Sequence, residues 1–155
     1  MANFVPMNDS AEKLSMDFTK LGQITNEDAW AILRPAGQML KEAFREKILG
    51  TFQQRSGVLA ESIEAVDRTG DVPHVLVYPQ GPHHKYRNRK KRGGGMKTAD
   101  ASEVGFVLEF GSAARGIAAS HWMENAITEH DAEITEKMQE GFDALCDEKG
   151  IGTDG

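Results

Sequence analysis

An α+β domain is what this sequence predicts: long N-terminal and C-terminal helices packed on a small, mostly antiparallel sheet, with a long basic loop. Three observations carry the prediction. Apolar residues recur at helical spacing over about Asn26–Leu49 and again over Ser120–Lys149. Between those stretches lie two short β-prone runs, Ile63–Arg68 and His74–Tyr78, parted by the turn residues Thr69-Gly70-Asp71. The polar stretch 79–100 then carries six cations and no acid between Pro79 and Gly95.

A chain of 155 residues suits one domain. We divide it into an N-terminal arm at 1–24, a body at 25–150 that includes a flexible basic loop at 79–100, and a tail at 151–155. In the arm, Met16, Phe18 and Leu21 form at most a short amphipathic stretch that orders against a partner. The first long helix sets Trp30, Leu33, Leu40, Phe44 and Ile48 on one stripe. Thr25 or Asn26 offers its N-cap oxygen, Glu27 and Asp28 suit its positive end, and Gly50 is the expected stop. Pro35 interrupts the pattern; a kink there is favoured over two successive helices.

After Gly57 comes a helical turn around Val58, Leu59 and Ile63, then the two runs read as an antiparallel hairpin. Loops longer than about 12–15 residues are usually functional or disordered, and 79–100 exceeds that length. Residues 101–111 remain open: Val104, Val107 and Leu108 fit a helix, while Val104, Phe106, Leu108 and Phe110 alternate as in a strand. The last helix carries Trp122, Met123, Ile127, His130, Ile134, Met138, Phe142 and Leu145 on one stripe and ends at Gly150. Its thirty or so residues would span about 45 Å, so its far end is expected to project.

The composition excludes several functions. No apolar run approaches the roughly 18–20 residues that span a bilayer. Met1-Ala2-Asn3-Phe4-Val5-Pro6 lacks the blocks of a signal peptide, which implies synthesis in a cytoplasm. The single Cys146 excludes an internal disulfide and a cysteine-built zinc site. The net charge of −6 hides an asymmetry: outside the basic segment, 12 cations face 24 acids, a net of −12. A basic segment on an acidic body suits either a nucleic acid or the acidic face of a neighbouring copy.

No catalytic, metal or cofactor site emerges. None of His74, His83, His84, His121 and His130 lies in a nucleophile-elbow pattern, and His130 falls on an apolar stripe. His83-His84 lacks a neighbouring carboxylate, and adjacent residues rarely converge on one ion. Gly93-Gly94-Gly95 lacks the spacing of a phosphate-binding loop. The candidate contact residues are Lys85, Arg87, Arg89, Lys90, Lys91 and Arg92, with Tyr86 as a ring able to stack on a base. Phosphates, an acidic protein neighbour and plain solvation all remain open for them.

Three stretches recur in a familiar order. The first joins the helix at Ala29-Trp30-Ala31-Ile32-Leu33-Arg34-Pro35-Ala36-Gly37 to Gln54-Arg55-Ser56-Gly57-Val58-Leu59-Ala60-Glu61-Ser62-Ile63. The second is Val107-Leu108-Glu109-Phe110-Gly111-Ser112, and the third Ala119-Ser120-His121-Trp122-Met123-Glu124-Asn125-Ala126. Together, over about residues 18–148, they resemble the neck (head–tail joining), tail-component or tail-completion family of long-tailed bacteriophages. Its pattern is a helix, Arg-Thr-Gly-x-Leu-x-x-Ser-Ile, Val-Glu-Phe-Gly-Thr, and an Ala-x-Pro-Phe-Leu helix start. This chain departs from it with His121 in place of Pro, and with a longer, more basic segment from Gln80 to Thr98.

The resemblance implies a structural virion protein without enzymatic activity or cofactor. Copies would form a ring, sixfold or alternatively twelvefold, joining the head connector or head-closure protein to a tail terminator or tail tube, with DNA possible in the lumen. A tail terminator or minor tail component is the nearest alternative; a nucleic-acid-binding accessory protein is the rival of another class. A small hydrolase would need a pocket gathering Ser and His. The matching positions Arg55, Ser56, Gly57, Leu59, Glu109, Phe110, Gly111 and Trp122 would be structural. Gly57 and Gly111 permit tight turns, Phe110 anchors the second, and Glu109 is expected half-buried against Arg55 or Arg115.

Overall fold

The computed structural model describes residues 22–53, 57–87 and 93–151. The expected arm up to residue 21, the positions Arg55, Ser56, Arg89, Lys90, Lys91 and Arg92, and residues 152–155 lie outside the described residues.

Helix α1 spans Asn26–Thr51. It starts on a capping box: the Thr25 hydroxyl accepts from the Asp28 amide at 3.2 Å, and the Asp28 carboxylate accepts from the Thr25 amide at 2.8 Å. The helix is unbroken at Pro35, so the two-helix alternative is set aside. Pro35 and Ala31, whose carbonyl it cannot serve, both face solvent, where an unserved acceptor costs little. Gly50 is not the stop: α1 continues to Thr51 and is capped by Phe52 in extended conformation.

Gly57 adopts φ +67°, as the turn reading requires, and opens the short helix α2 at Val58–Glu61, which buries Leu59 and Ala60. Strands β1 (Ile63–Arg68) and β2 (His74–Pro79) pair antiparallel, from Ile63 opposite Pro79 to Arg68 opposite His74. The sheet lies against α1. A Cβ on Gly37 would stand 2.7 Å from Val75 Cγ1, so the helix needs a glycine to come this close. Arg34–Asp67 (2.8 Å) and Lys41–Glu64 (3.0 Å) pin α1 to β1 at its margins.

The expected loop over 79–100 is largely a second hairpin. Strand β3 (Pro82–Arg87) pairs antiparallel with β4 (Met96–Asp100), with a register shift between Pro82 and His84. It forms its own two-stranded sheet, separate from β1–β2. Periodicity could not reveal it, because of these eleven positions Ala99 alone is buried. The ambiguous stretch that follows is a helix, α3 at Ala101–Phe110. Asp100 caps it by accepting from the Ser102 amide at 2.9 Å.

A 3₁₀ turn at Ala113–Arg115 leads to helix α4, Trp122–Lys149, which stops at Gly150 with φ +63°. Helix α4 runs antiparallel to α1. Glu129 pairs with Lys47, Gly141 lies against Ile32, and Lys149 reaches Asp28 at 3.3 Å. Its far end therefore does not project as expected: Leu145, Cys146 and Ile151 are buried, and Lys149 is tied to the start of α1. The core lies where the end of α1 and the starts of β1, α3 and α4 meet. Phe44, Ile48, Leu59, Ala60, Ile63, Ala101, Trp122 and Ala126 form it. No described helix is long and apolar enough to cross a membrane.

Candidate interaction surfaces

Two cations of the basic segment stand on a described strand. Lys85 and Arg87 on β3 are exposed, and Lys97 on β4 stands opposite Tyr86. His84 and Tyr86, two residues apart on one face, bring their rings to 6.1 Å. The Nδ1 atoms of the adjacent His83 and His84 lie 2.8 Å apart, within hydrogen-bond distance. One ring must therefore donate and the other accept. Burial, and then the charge of His84, lowers the His83 pKa below its ordinary value. Between the hairpin and α3 lies a hollow of about 310 Å³, lined by His84, Tyr86, Ala99, Glu103, Val104 and Arg115. Its lining carries opposite charges, Glu103 and Arg115.

The motif residues meet at the start of α4. Glu109 is 3% exposed, and its carboxylate accepts from the Met123 amide at 2.6 Å and the Glu124 amide at 3.4 Å. It is a helix cap supplied by another helix, placing negative charge where unpaired N–H groups and the helix dipole favour it. The expected pairing with Arg115 is thus replaced by backbone donors. Gly111 has φ +77°, and a Cβ there would stand 2.8 Å from Ile117 O and Ala119 N, so no other residue fits. The turn closes through paired Ser112 and Ile117 and through the Ser120 hydroxyl donating to Leu108 O at 2.6 Å. Trp122 is fully buried, donates Nε1–H to Gly105 O at 3.0 Å, and meets Phe44 edge-on at 5.3 Å.

Two motif positions differ from expectation. Phe110 is not an anchor: it is 68% exposed and stacks on exposed Phe106 with ring centroids 6.2 Å apart. The buried side of α3 is taken by Ala101, Gly105 and Glu109, which leaves both phenylalanines outward. His121 is the one described non-glycine residue with positive φ, at +51°. Proline, held near φ −65°, could not take that conformation, so the departure from the resembled pattern goes with a different helix start.

Glu109, His121 and Glu124 bring potential metal-ligand atoms within 4.8 Å of one another. Both Glu109 oxygens already accept backbone N–H bonds, so the cluster serves the helix start. Among the described residues no Ser hydroxyl or Cys thiol bonds a histidine, and Cys146 is buried.

A third surface was missed in the sequence. Along the α1–α4 seam runs a groove of about 370 Å³, with Met39, Ala43 and Ile134 lining it and Glu42, Glu46 and Glu133 beside them. It continues past Glu46 and His130 to Glu129, Gly50 and Thr51. His130 Nδ1 lies 3.5 Å from Glu133. The available signal was the pair of like charges four apart on each helix, Glu42/Glu46 and Glu129/Glu133. Nothing local says that the two pairs face one groove. No protein-family model, curated protein or solved structure matches the chain.

Proposed function

We propose that this chain is a structural, non-enzymatic subunit of a ring at the neck of a long-tailed bacteriophage virion. There it joins the DNA-filled head, through the connector or head-closure protein, to the tail terminator or tube. The observation that carries the reading is the convergence of the ordered motif positions. Glu109, Gly111 and Trp122 build one junction between α3 and α4, and Leu59 packs in the core beneath it. Residues scattered through the chain in the order of the resembled pattern thus serve one structural purpose. The surface supports assembly as well: a basic hairpin, two outward phenylalanines and an acidic groove give one subunit several different faces. A closed ring needs two unlike faces on each subunit. Sixfold symmetry is preferred, with twelvefold as the alternative.

Electron microscopy of particles from a phage lacking this gene tests the proposal. DNA-filled heads lying apart from finished tails are expected; intact virions would refute the joining role. The second reading, a nucleic-acid-binding accessory protein, is favoured by Tyr86 flanked by Lys85 and Arg87. It predicts salt-sensitive DNA or RNA binding by the isolated chain.

A further inference from the structure

We infer that the acidic groove between α1 and α4 receives the basic β3–β4 hairpin of a second copy of this chain, in a head-to-tail contact. The inference deepens the ring reading and rests on it only for closure of the contact into a ring.

The case begins with charges that find no partner within one copy. Among the described residues, Lys85, Arg87 and Lys97 form no ion pair, although the rest of the chain is strongly acidic. In the groove, among the described residues, Glu46 pairs with no cation, and Glu133 meets only His130. The groove's other acids are partly served, Glu42 by Arg45 at 3.4 Å and Glu129 by Lys47. Within a copy the two surfaces are held apart: the hairpin rests on α3, while the groove is the seam of α1 with α4. Satisfying both requires another molecule, and a second copy carries the complement of each.

Dimensions agree. A six-residue strand such as Pro82–Arg87 is about 20 Å long. The groove follows α1 from Gln38 to Thr51, which at the helical rise is also about 20 Å. Chemistry agrees as well. Exposed ion pairs are individually weak, so a stable contact also needs apolar burial. Met39, Ala43 and Ile134 offer that in the groove; Met96, 64% exposed and opposite Arg87 on the face that Lys85 shares, offers it on the hairpin.

Phosphate is the competing occupant of the hairpin, but it leaves the acidic groove without a role. The contact is heterologous, so each copy docked leaves one groove and one hairpin open for the next. Such a contact closes into a ring or runs on as a filament.

The test is charge exchange, read by sedimentation velocity of the full chain at about 20 mM and about 500 mM salt, which span strong and weak screening. Two surface variants are made, Lys85→Glu with Arg87→Glu, and Glu46→Lys with Glu133→Lys; circular dichroism verifies that each is folded. Wild type is expected to associate at low salt and to dissociate at high salt. Each variant alone should associate at least about tenfold more weakly, because like charges then oppose across the contact. An equimolar mixture of the two should regain association, and so should all four substitutions in one chain.

Association indifferent to either variant would overturn the contact, as would a mixture that stays apart or a wild type monomeric at low salt. Binding of a DNA duplex, lost only in the hairpin variant and without self-association, would overturn it in favour of nucleic acid. Separate heads and tails in the gene-deleted phage, together with a failed exchange, would leave the ring standing on other faces. Intact virions with a successful exchange would leave the contact standing and remove the neck.

Discussion

Helices α1 and α4 hold each other by burial, whereas the β3–β4 hairpin holds almost nothing. Along the helix pair, Phe44, Ile48, Trp122 and Ala126 are within 1% of full burial, and the ends are tied by Lys47–Glu129 and Lys149–Asp28. Among the described residues of the two hairpin strands only Ala99 is buried, and most of the side chains face water. Stability is therefore concentrated in the helical half. The hairpin can carry dense charge because few of its side chains must also satisfy a core. The contrast extends to the charges themselves: the helical half pairs many of its own, while the described hairpin cations remain available to another molecule.

The largest expected effect breaks the helical side. Trp122→Ala should cost about 3–5 kcal/mol in urea unfolding, for lost burial and the cavity against Phe44. A loss under about 1 kcal/mol would show that the core is not centred there. Next comes Glu109→Ala, expected to cost about 1–3 kcal/mol by leaving the first amides of α4 unserved in a buried site. Glu109→Gln, which keeps an acceptor, should cost less. His121 gives a smaller effect of opposite sign. His121→Gly relieves a left-handed residue worth roughly 1–2 kcal/mol, less the entropy glycine loses, for a net gain under about 1 kcal/mol. His121→Pro should be strongly destabilising, and a proline variant as stable as the parent would refute the left-handed start.

Acid titration separates the regions by pH window. The Thr25 amide bond, and then the Thr25 hydroxyl and Lys149, lower the Asp28 pKa below its usual 3.8. Its contribution to stability is therefore present above pH 3.8 and is lost as pH falls through the lower folded value. Asp28→Asn should flatten that limb. In the hairpin, burial lowers the His83 pKa below 6.5, so folding opposes its protonation. Stability should decline as pH falls from 6.5 through the folded value, and His83→Asn should remove that decline. The smallest effect belongs to the hairpin cations. Lys85→Glu with Arg87→Glu should change unfolding stability by no more than about 0.5 kcal/mol per substitution. A larger loss would mean that the hairpin is part of the core's support.

The sequence revealed elements whose burial is local and periodic. Trp122, Ile134 and Leu145 on α4, the Thr69-Gly70-Asp71 turn between β1 and β2, and the Gly150 stop all follow from spacing and turn chemistry. It also exposed the cations Lys85 and Arg87. It did not reveal β3 and β4, because strands with one buried residue among them leave almost no alternation to read. Nor could it join Glu42 and Glu46 to Glu129 and Glu133, about ninety positions away, into one groove.

By itself, then, the sequence determined the long helices, the first hairpin and the charge asymmetry, since period, turn residues and composition are properties of neighbours along the chain. The tertiary structure alone decided what each surface faces. It gave Glu109 the amides of α4 instead of an arginine and folded the far end of α4 back onto Asp28. It also turned Phe106 and Phe110 to solvent and set His121 in a left-handed turn. Each of these depends on which distant segment occupies the adjoining space, and a short window of sequence contains no term for that.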